Sequence, residues 1–307
     1  MRPPMARTRP DARRRPSSGR PAPRRRSPAQ WVLVAGLVAV GVVVVVAALR
    51  GDSPDDTASR SGGLTGGDFH SLVADPMTSG RVFVGGHQAV SVSSDAGGTW
   101  KRVEALDDAD AMGWAFANDS VFVSGHPGLN RSTDGAATFR RTNDGLPDTD
   151  VHGFGASEAT MYAAGPGLGV VGSTDGGKTW SARTGEAGQS FFGRILIDAD
   201  DDQQLIAADA RAGAVSSADG GRTWRRLGGP QAAVWVSRSG DTLYASGQGV
   251  SKSSDGGATW NEIDLPDGAT LVEADPTDAD VLYAGVHRGQ EVELWISKDG
   301  GVRWARR

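Results

Sequence analysis

The chain has no cysteine, three tyrosines and five histidines. Without cysteine there is no disulfide to hold an extracellular fold, no thiolate nucleophile or thiolate metal ligand, and no lipid-modified anchor. No long stretch carries the 3.6-residue apolar period of a helical repeat, which excludes that architecture. Positive charge is scarce past the N-terminal segment. Of 32 basic and 37 acidic residues, 11 basic and one acidic fall in the first 50, leaving 21 against 36. Such an acid excess repels polyanions, so no nucleic-acid partner is expected.

The first 50 residues differ from the rest. Residues 1–30 hold ten arginines, one acid and many prolines, a composition that cannot bury a core and predicts a disordered cytoplasmic tail. Residues 31–49 carry no charge. As a helix they would span about 28 Å, close to the thickness of a hydrocarbon core. The arginines in front predict a cytoplasmic N-terminus and a single transmembrane helix, with a cleaved signal peptide as the alternative. Residues 50–67 read as a flexible linker rich in Gly, Ser, Asp and Thr. Residues 68–307 are then one extracellular domain, expected to be a monomer and long enough for one large core.

Within that domain one pattern recurs. It runs Ser173-Thr174-Asp175-Gly176-Gly177-Lys178-Thr179-Trp180, and returns at Ser93, Ser132, Ser217, Ser253 and Ser297. The aspartates are Asp95, Asp134, Asp175, Asp219, Asp255 and Asp299, spaced 39, 41, 44, 36 and 44 residues apart. A carboxylate there can turn back onto backbone N–H groups, and glycine supplies the left-handed backbone of a tight turn. Trp100, Trp180, Trp224, Trp260 and Trp304 follow as apolar anchors, with Phe139 in the second copy. Ala136 replaces a glycine and Arg303 a threonine, which predicts two looser turns. A period near 40 residues with room for four short strands signals a propeller blade. In the first blade the strands are expected at 69–74, 81–84, 89–93 and 100–103. The fold class is therefore all-β: a six-bladed propeller of four-stranded antiparallel blades, with no spare strand for a shared blade.

The eight-residue pattern, Ser-x-Asp-x-Gly-x-Thr-Trp, resembles the Asp box of the BNR-repeat propellers. The chain is similar to bacterial membrane-anchored members carrying a sialidase-like or glycosyl-hydrolase label. That resemblance implies a propeller fold and a glycan ligand, but the box specifies fold rather than reaction. It also covers non-catalytic sorting receptors and assembly factors.

Strand direction alternates from the axis outward, so the aspartate turns lie on one face and the starts of the innermost strands on the other. The six box aspartates are thus structural. The opposite, top face collects all five histidines. His70 and His152 precede innermost strands; His87, His126 and His287 follow second strands. Asp68, Asp110 and Asp150 stand at equivalent innermost-strand starts, and Arg194 adds positive charge. The expected site is His70, Asp110, His126, Asp150 and His152, with His87, His287 and Arg194 around it.

Three chemistries fit those residues. In a glycosidase, Asp110 and Asp150 would be acid and base, if separated by the roughly 6.5–9.5 Å that inversion needs, with Trp114 or Trp235 stacking on a sugar. A sialidase is not expected, because Tyr162, Tyr244 and Tyr283 occupy one packing position and no arginine triad is present. The second is a non-catalytic scaffold binding a glycan or cell-surface protein. The third is a His/Asp metal site, although the histidines form no compact motif such as His-Glu-x-x-His, so no metal ligand and no cofactor is assigned.

Overall fold

The computed structural model describes residues 62–307; the arginine-rich tail, the uncharged segment 31–49 and most of the expected linker lie outside that range. Among the described residues no helix is long and apolar enough to cross a membrane.

A short strand, β1 (Gly63–Leu64), comes first. Then β2 (Ser71–Ala74), β3 (Val82–Gly85), β4 (Val90–Ser93) and β5 (Lys101–Arg102) form an antiparallel meander. A second meander is β6 (Gly113–Ala117), β7 (Ser120–Gly125), β8 (Gly128–Ser132) and β9 (Arg140–Arg141). A third is β10 (Gly153–Ala156), β11 (Met161–Gly165), β12 (Gly169–Ser173) and β13 (Ser181–Thr184). A fourth is β14 (Phe191–Ile197), β15 (Leu205–Asp209), β16 (Gly213–Ser217) and β17 (Arg225–Gly228). Next come β18 (Trp235–Ser239), β19 (Thr242–Gly247), β20 (Gly249–Ser253) and β21 (Asn261–Glu262). The last are β22 (Ala269–Ala274), β23 (Leu282–Arg288), β24 (Glu291–Ser297) and β25 (Ala305–Arg306). Second strands carry apolar runs; Val82, Phe83 and Val84 and Val121, Phe122 and Val123 are buried throughout. β-branched and aromatic side chains suit a strand covered on both faces.

The result is an all-β propeller with antiparallel four-stranded blades. Two expectations need correction. Six separate blades were expected, but hydrogen bonding yields four free-standing blade-sized sheets and one eight-stranded sheet. In the latter, β10 and β14 pair in parallel, Gly153 opposite Gly193 and Phe154 opposite Arg194. The close backbone approach falls at Gly155, where a Cβ would lie 2.1 Å from Ile195 O, beside an irregularity in the β14–β15 register between Phe192 and Ile195.

The second correction concerns the spare strand and the linker boundary. β1 lies upstream of residue 68 and pairs with β24, Gly63 opposite Val292 and Leu64 opposite Glu291. The same segment holds the first meander: Ala89 N–H donates to Thr65 O at 3.0 Å, and Ser91 Oγ to Leu64 O at 2.9 Å. The start of the described chain therefore bridges its first and last sheets. From the other terminus, Arg307 Nε donates to Ala96 O at 3.0 Å.

The aspartate turns share one bonding scheme. In the third, Asp175 Oδ1 accepts from Ser173 Oγ at 2.8 Å and Thr179 N–H at 2.9 Å, while Oδ2 accepts from Thr179 Oγ1 at 2.7 Å. Neither variant turn is loosened. Ala136 takes a left-handed φ of 71° and still donates its N–H to Ser132 Oγ at 2.9 Å. Arg303 replaces the threonine hydroxyl with Nε, 2.7 Å from Asp299 Oδ2. Behind the turns, Trp180, Trp224 and Trp260 donate Nε1–H to the carbonyls of Gly177, Gly221 and Gly257.

Hydrogen bonds from the turn threonines pull the carboxyls of Asp134, Asp175, Asp219 and Asp255 from 3.8 down to about 2. Lowered carboxyl pKa values stabilise the fold fully above the unfolded value and lose that contribution as pH falls. Acid unfolding is thus expected to develop between about pH 4 and pH 2, and Asp175→Asn to flatten that limb in a melting-temperature series. An unchanged acid limb would contradict this. Trp180→Ala is expected to cost more, about 3 kcal/mol in denaturant titration.

The β1 bridge makes a separate prediction. A chain beginning at residue 67 is expected to melt on the order of 5 °C below one beginning at residue 62, since it loses both sets of backbone bonds. Equal melting temperatures would show that the propeller closes without β1.

Candidate functional site

The innermost strands of the first three meanders begin at Ser71, Gly113 and Gly153, and Asp68, Asp110 and Asp150 each stand three residues earlier. Backbone bonds between meanders set their positions. Ala111 N–H donates to Gly86 O at 3.1 Å, and Val151 N–H to Gly125 O at 3.2 Å. Each acid is thereby delivered beside the turn that follows the second strand of the preceding meander. Each segment also packs closely on the second strand of its own meander: a Cβ on Gly125 would lie 2.1 Å from Asp110 O, and one on Gly165 1.9 Å from Asp150 O. Asp110 itself has a left-handed φ of 50°, a conformation that aspartate tolerates better than most residues.

Those turns carry histidines, so acids and imidazoles meet in a row. Asp110 Oδ1 lies 3.1 Å from His70 Nε2 and 3.2 Å from His87 Nδ1, and its Oδ2 touches His126 Nδ1. On the far side of the ring, His126 Nε2 is 3.5 Å from Asp150 Oδ1 and 3.3 Å from His152 Nε2. His152 Nε2 is 2.8 Å from the same Asp150 oxygen. Successive ring centroids are 6.3, 6.1 and 5.1 Å apart from His70 to His152. Asp68 joins at the near end, within metal-ligand reach of His70 and His87. Asp110 is 3% exposed, yet neither of its oxygens, nor Asp150 Oδ1, has an aligned hydrogen bond.

Electrostatics follow from that crowding. Burial alone would raise the Asp110 carboxyl, but bonding and charge from His70, with the charges of His126 and His87, outweigh it and hold the carboxyl below its ordinary range. Burial pushes the His152 imidazole down, against the pull of Asp150. The row therefore combines an ionised buried carboxylate with an imidazole biased towards its neutral, ligating form.

The structure thus brings together His70, His87, Asp110, His126, Asp150 and His152, and adds Asp68, whose place three residues before its strand matches the other two acids. His287 does not join them. β23 runs on to Arg288, and His287 packs instead against Phe69, ring centroids 6.4 Å apart. Arg194 belongs to a different set. Its Nη1 is 2.8 Å from Oε1 of Glu273, which is fully buried. Glu273 Oε1 also accepts from Ala74 N–H at 3.3 Å, and Oε2 from Trp235 Nε1–H at 3.0 Å. Burial pushes the Glu273 carboxyl up to about 7, with Arg194 opposing. Nothing in the sequence analysis singles out Glu273; the available signal is an acid inside the apolar run Leu271, Val272, Ala274.

Trp114 and Trp235 are fully buried and serve the core rather than a sugar. The former donates Nε1–H to Ser71 Oγ at 2.9 Å. Burial raises the phenols of Tyr162, Tyr244 and Tyr283, so none is a ready nucleophile. A cavity of about 890 Å³ opens among the turns between first and second strands, bordered by Asn118, Glu158 and Asp198, at the other end of the innermost strands from the cluster.

Fold and site together define an all-β propeller bearing a histidine–aspartate row. No family model and no curated protein matches the chain. Among solved structures it is similar to a GH74 enzyme of Niastella koreensis, at 18% identity and TM-score 0.55 over 80% of this chain and 47% of that one. It is also similar to the GH74 xyloglucanase of Xanthomonas campestris, at 19% identity and TM-score 0.54 over 81% and 46%. The chain thus spans under half the length of either, and the likeness establishes the propeller fold alone.

The Arg194–Glu273 pair is open to test. Arg194→Met leaves a buried carboxylate without its cation and is expected to destabilise the fold by about 3–5 kcal/mol. Denaturant unfolding measures this; a loss below about 1 kcal/mol would mean that Glu273 is protonated in the native state.

Proposed function

We propose that this propeller binds a divalent first-row transition ion, such as zinc or copper, through the histidine–aspartate row on its top face. The observation that carries this reading is the convergence of His126 Nε2, His152 Nε2 and Asp150 Oδ1 within ligand-sharing distance. Imidazole and carboxylate donors suit zinc, copper or iron, whereas magnesium and calcium prefer all-oxygen shells. The charge balance supports it further. Among the described residues, the ion-pair neighbours of buried Asp110 are imidazoles, with no lysine or arginine.

Glycoside hydrolysis by Asp110 and Asp150, which the resemblance and the GH74 neighbours suggest, has weaker support. A general acid must hold a proton near neutral pH, and the Asp110 carboxyl is held ionised beneath three imidazoles. Glycan or protein recognition by the same face remains compatible with a bound ion. The uncharged segment 31–49 behind an arginine-rich tail supports presentation of the propeller outside a membrane.

The full-length chain in detergent, stripped with chelator and titrated calorimetrically with Zn²⁺, Cu²⁺, Mg²⁺ and Ca²⁺, tests this. Zn²⁺ or Cu²⁺ is expected to bind and raise the melting temperature, and Mg²⁺ and Ca²⁺ to do neither. His126→Ala is expected to weaken transition-ion binding at least tenfold while the metal-free melting temperature holds. If no transition ion binds, or if His126→Ala binds as tightly as the native chain, the reading fails.

A further inference from the structure

We propose that the row holds two ions, one at each end, and that Asp110 orients ligands of both without belonging to either site. This rests on the metal reading above and goes beyond it in number and arrangement.

Geometry argues against a single shared ion. Zinc–ligand bonds are about 2.0–2.2 Å, so donors of one ion lie within about 4.4 Å of each other. Three groups of donor atoms lie within 4.8 Å of one another, close enough to contract onto one ion: Asp68, His70 and His87; His87, Asp110 and His126; and His126, Asp150 and His152. No group contains both His70 and His152. The two outer groups share no residue, so both can be filled together. The central group draws on His87 and His126, and filling it would leave both outer groups incomplete.

Tautomer chemistry favours the outer pair. A neutral imidazole has one protonated nitrogen and one lone pair, and an ionised carboxylate only accepts. Asp110 belongs to neither proposed ion site, so a lone pair facing it is repelled and the nitrogen facing it is the protonated one, whereas His152 Nε2 and Asp150 Oδ1 face each other as two ligands of one ion. Asp110 faces His126 Nδ1, His87 Nδ1 and His70 Nε2. The lone pairs are then at His126 Nε2, His87 Nε2 and His70 Nδ1, each away from Asp110. His126 Nε2 is the atom that meets His152 and Asp150. That leaves one nitrogen of His70 and one of His87 to serve an ion shared with Asp68, the third residue of their group. One buried carboxylate thus sets three rings, two for one ion and one for the other, in the manner of carboxylates that orient metal-bound histidines.

Stoichiometry decides the matter. The full-length chain, loaded with Zn²⁺, desalted and analysed for bound metal, is expected to carry two ions. Asp68→Asn, at an exposed position, and His70→Ala are each expected to leave one ion, as is His152→Ala. The double variant His70→Ala, His152→Ala is expected to hold none. Asp110→Asn is expected to weaken both sites by about 10–100-fold, with folding checked by circular dichroism. A single ion that survives His70→Ala and His152→Ala but is lost in His87→Ala overturns the two-ion arrangement and leaves the metal reading standing. No bound ion in the native chain overturns both.

Discussion

The carboxylate of Glu273 is the interaction on which the centre of the propeller depends. It sits fully buried on β22, and its partners come from three other meanders: Ala74 on β2, Arg194 on β14 and Trp235 on β18. An ionised carboxylate in such a place costs several kcal/mol unless it is paired and hydrogen-bonded. The pairing is therefore obligatory, and it binds strands distant in sequence into one geometry. With its carboxyl pushed up to about 7, desolvation outweighs the pairing with Arg194. The axis is held by a specific polar contact more than by surplus electrostatic energy.

Around that axis, closure uses the two ends of the described chain. β1 adds to the outer edge of β24 and hydrogen-bonds the first meander; Arg307 reaches back to the first aspartate turn. Side-chain-free backbone sets the spacing elsewhere. Gly155 lets β10 lie against β14 as two meanders fuse into one sheet, while Gly125 and Gly165 let the acid-bearing segments lie against neighbouring strands. The tolerances that seat Asp110 and Asp150 are tolerances of the fold itself.

Much of this was legible in the sequence, because local chemistry repeats. The aspartate turns use residues within seven positions of each other, so six copies state their own geometry. The top-face histidines were placed by strand direction alone, and four of the five do meet. What was not legible depends on length and distance. His287 was misplaced because β23 extends to Arg288, a matter of one extra turn of pleat. Arg194 looked like a rim cation because its partner, Glu273, lies 79 residues away in an otherwise apolar strand. β1 was missed because a two-residue strand has no periodicity to read. The fused sheet was not legible because parallel pairing of innermost strands leaves no sequence mark beyond a single glycine, Gly155.

The polar hubs divide the ring between them. Glu273 reaches the first, fourth, fifth and last meanders; the histidine–aspartate row joins the first, second and third. They differ in how negative charge is balanced. Glu273 has Arg194, Asp75 has Arg81, and Asp198 has Arg238. A guanidinium is always charged, so those pairs need nothing more. Among the described residues the ion-pair neighbours of Asp110 are imidazoles, whose charge is conditional, and burial pushes His152 towards its neutral form. Three or four protonated rings would also repel one another at centroid spacings of 5.1–6.3 Å. In the proposed reading, a divalent ion would remove that conflict, since it would neutralise the acids while the rings stay neutral. If the proposed site holds, the absence of an arginine beside Asp110 among the described residues is what separates it from a structural pair.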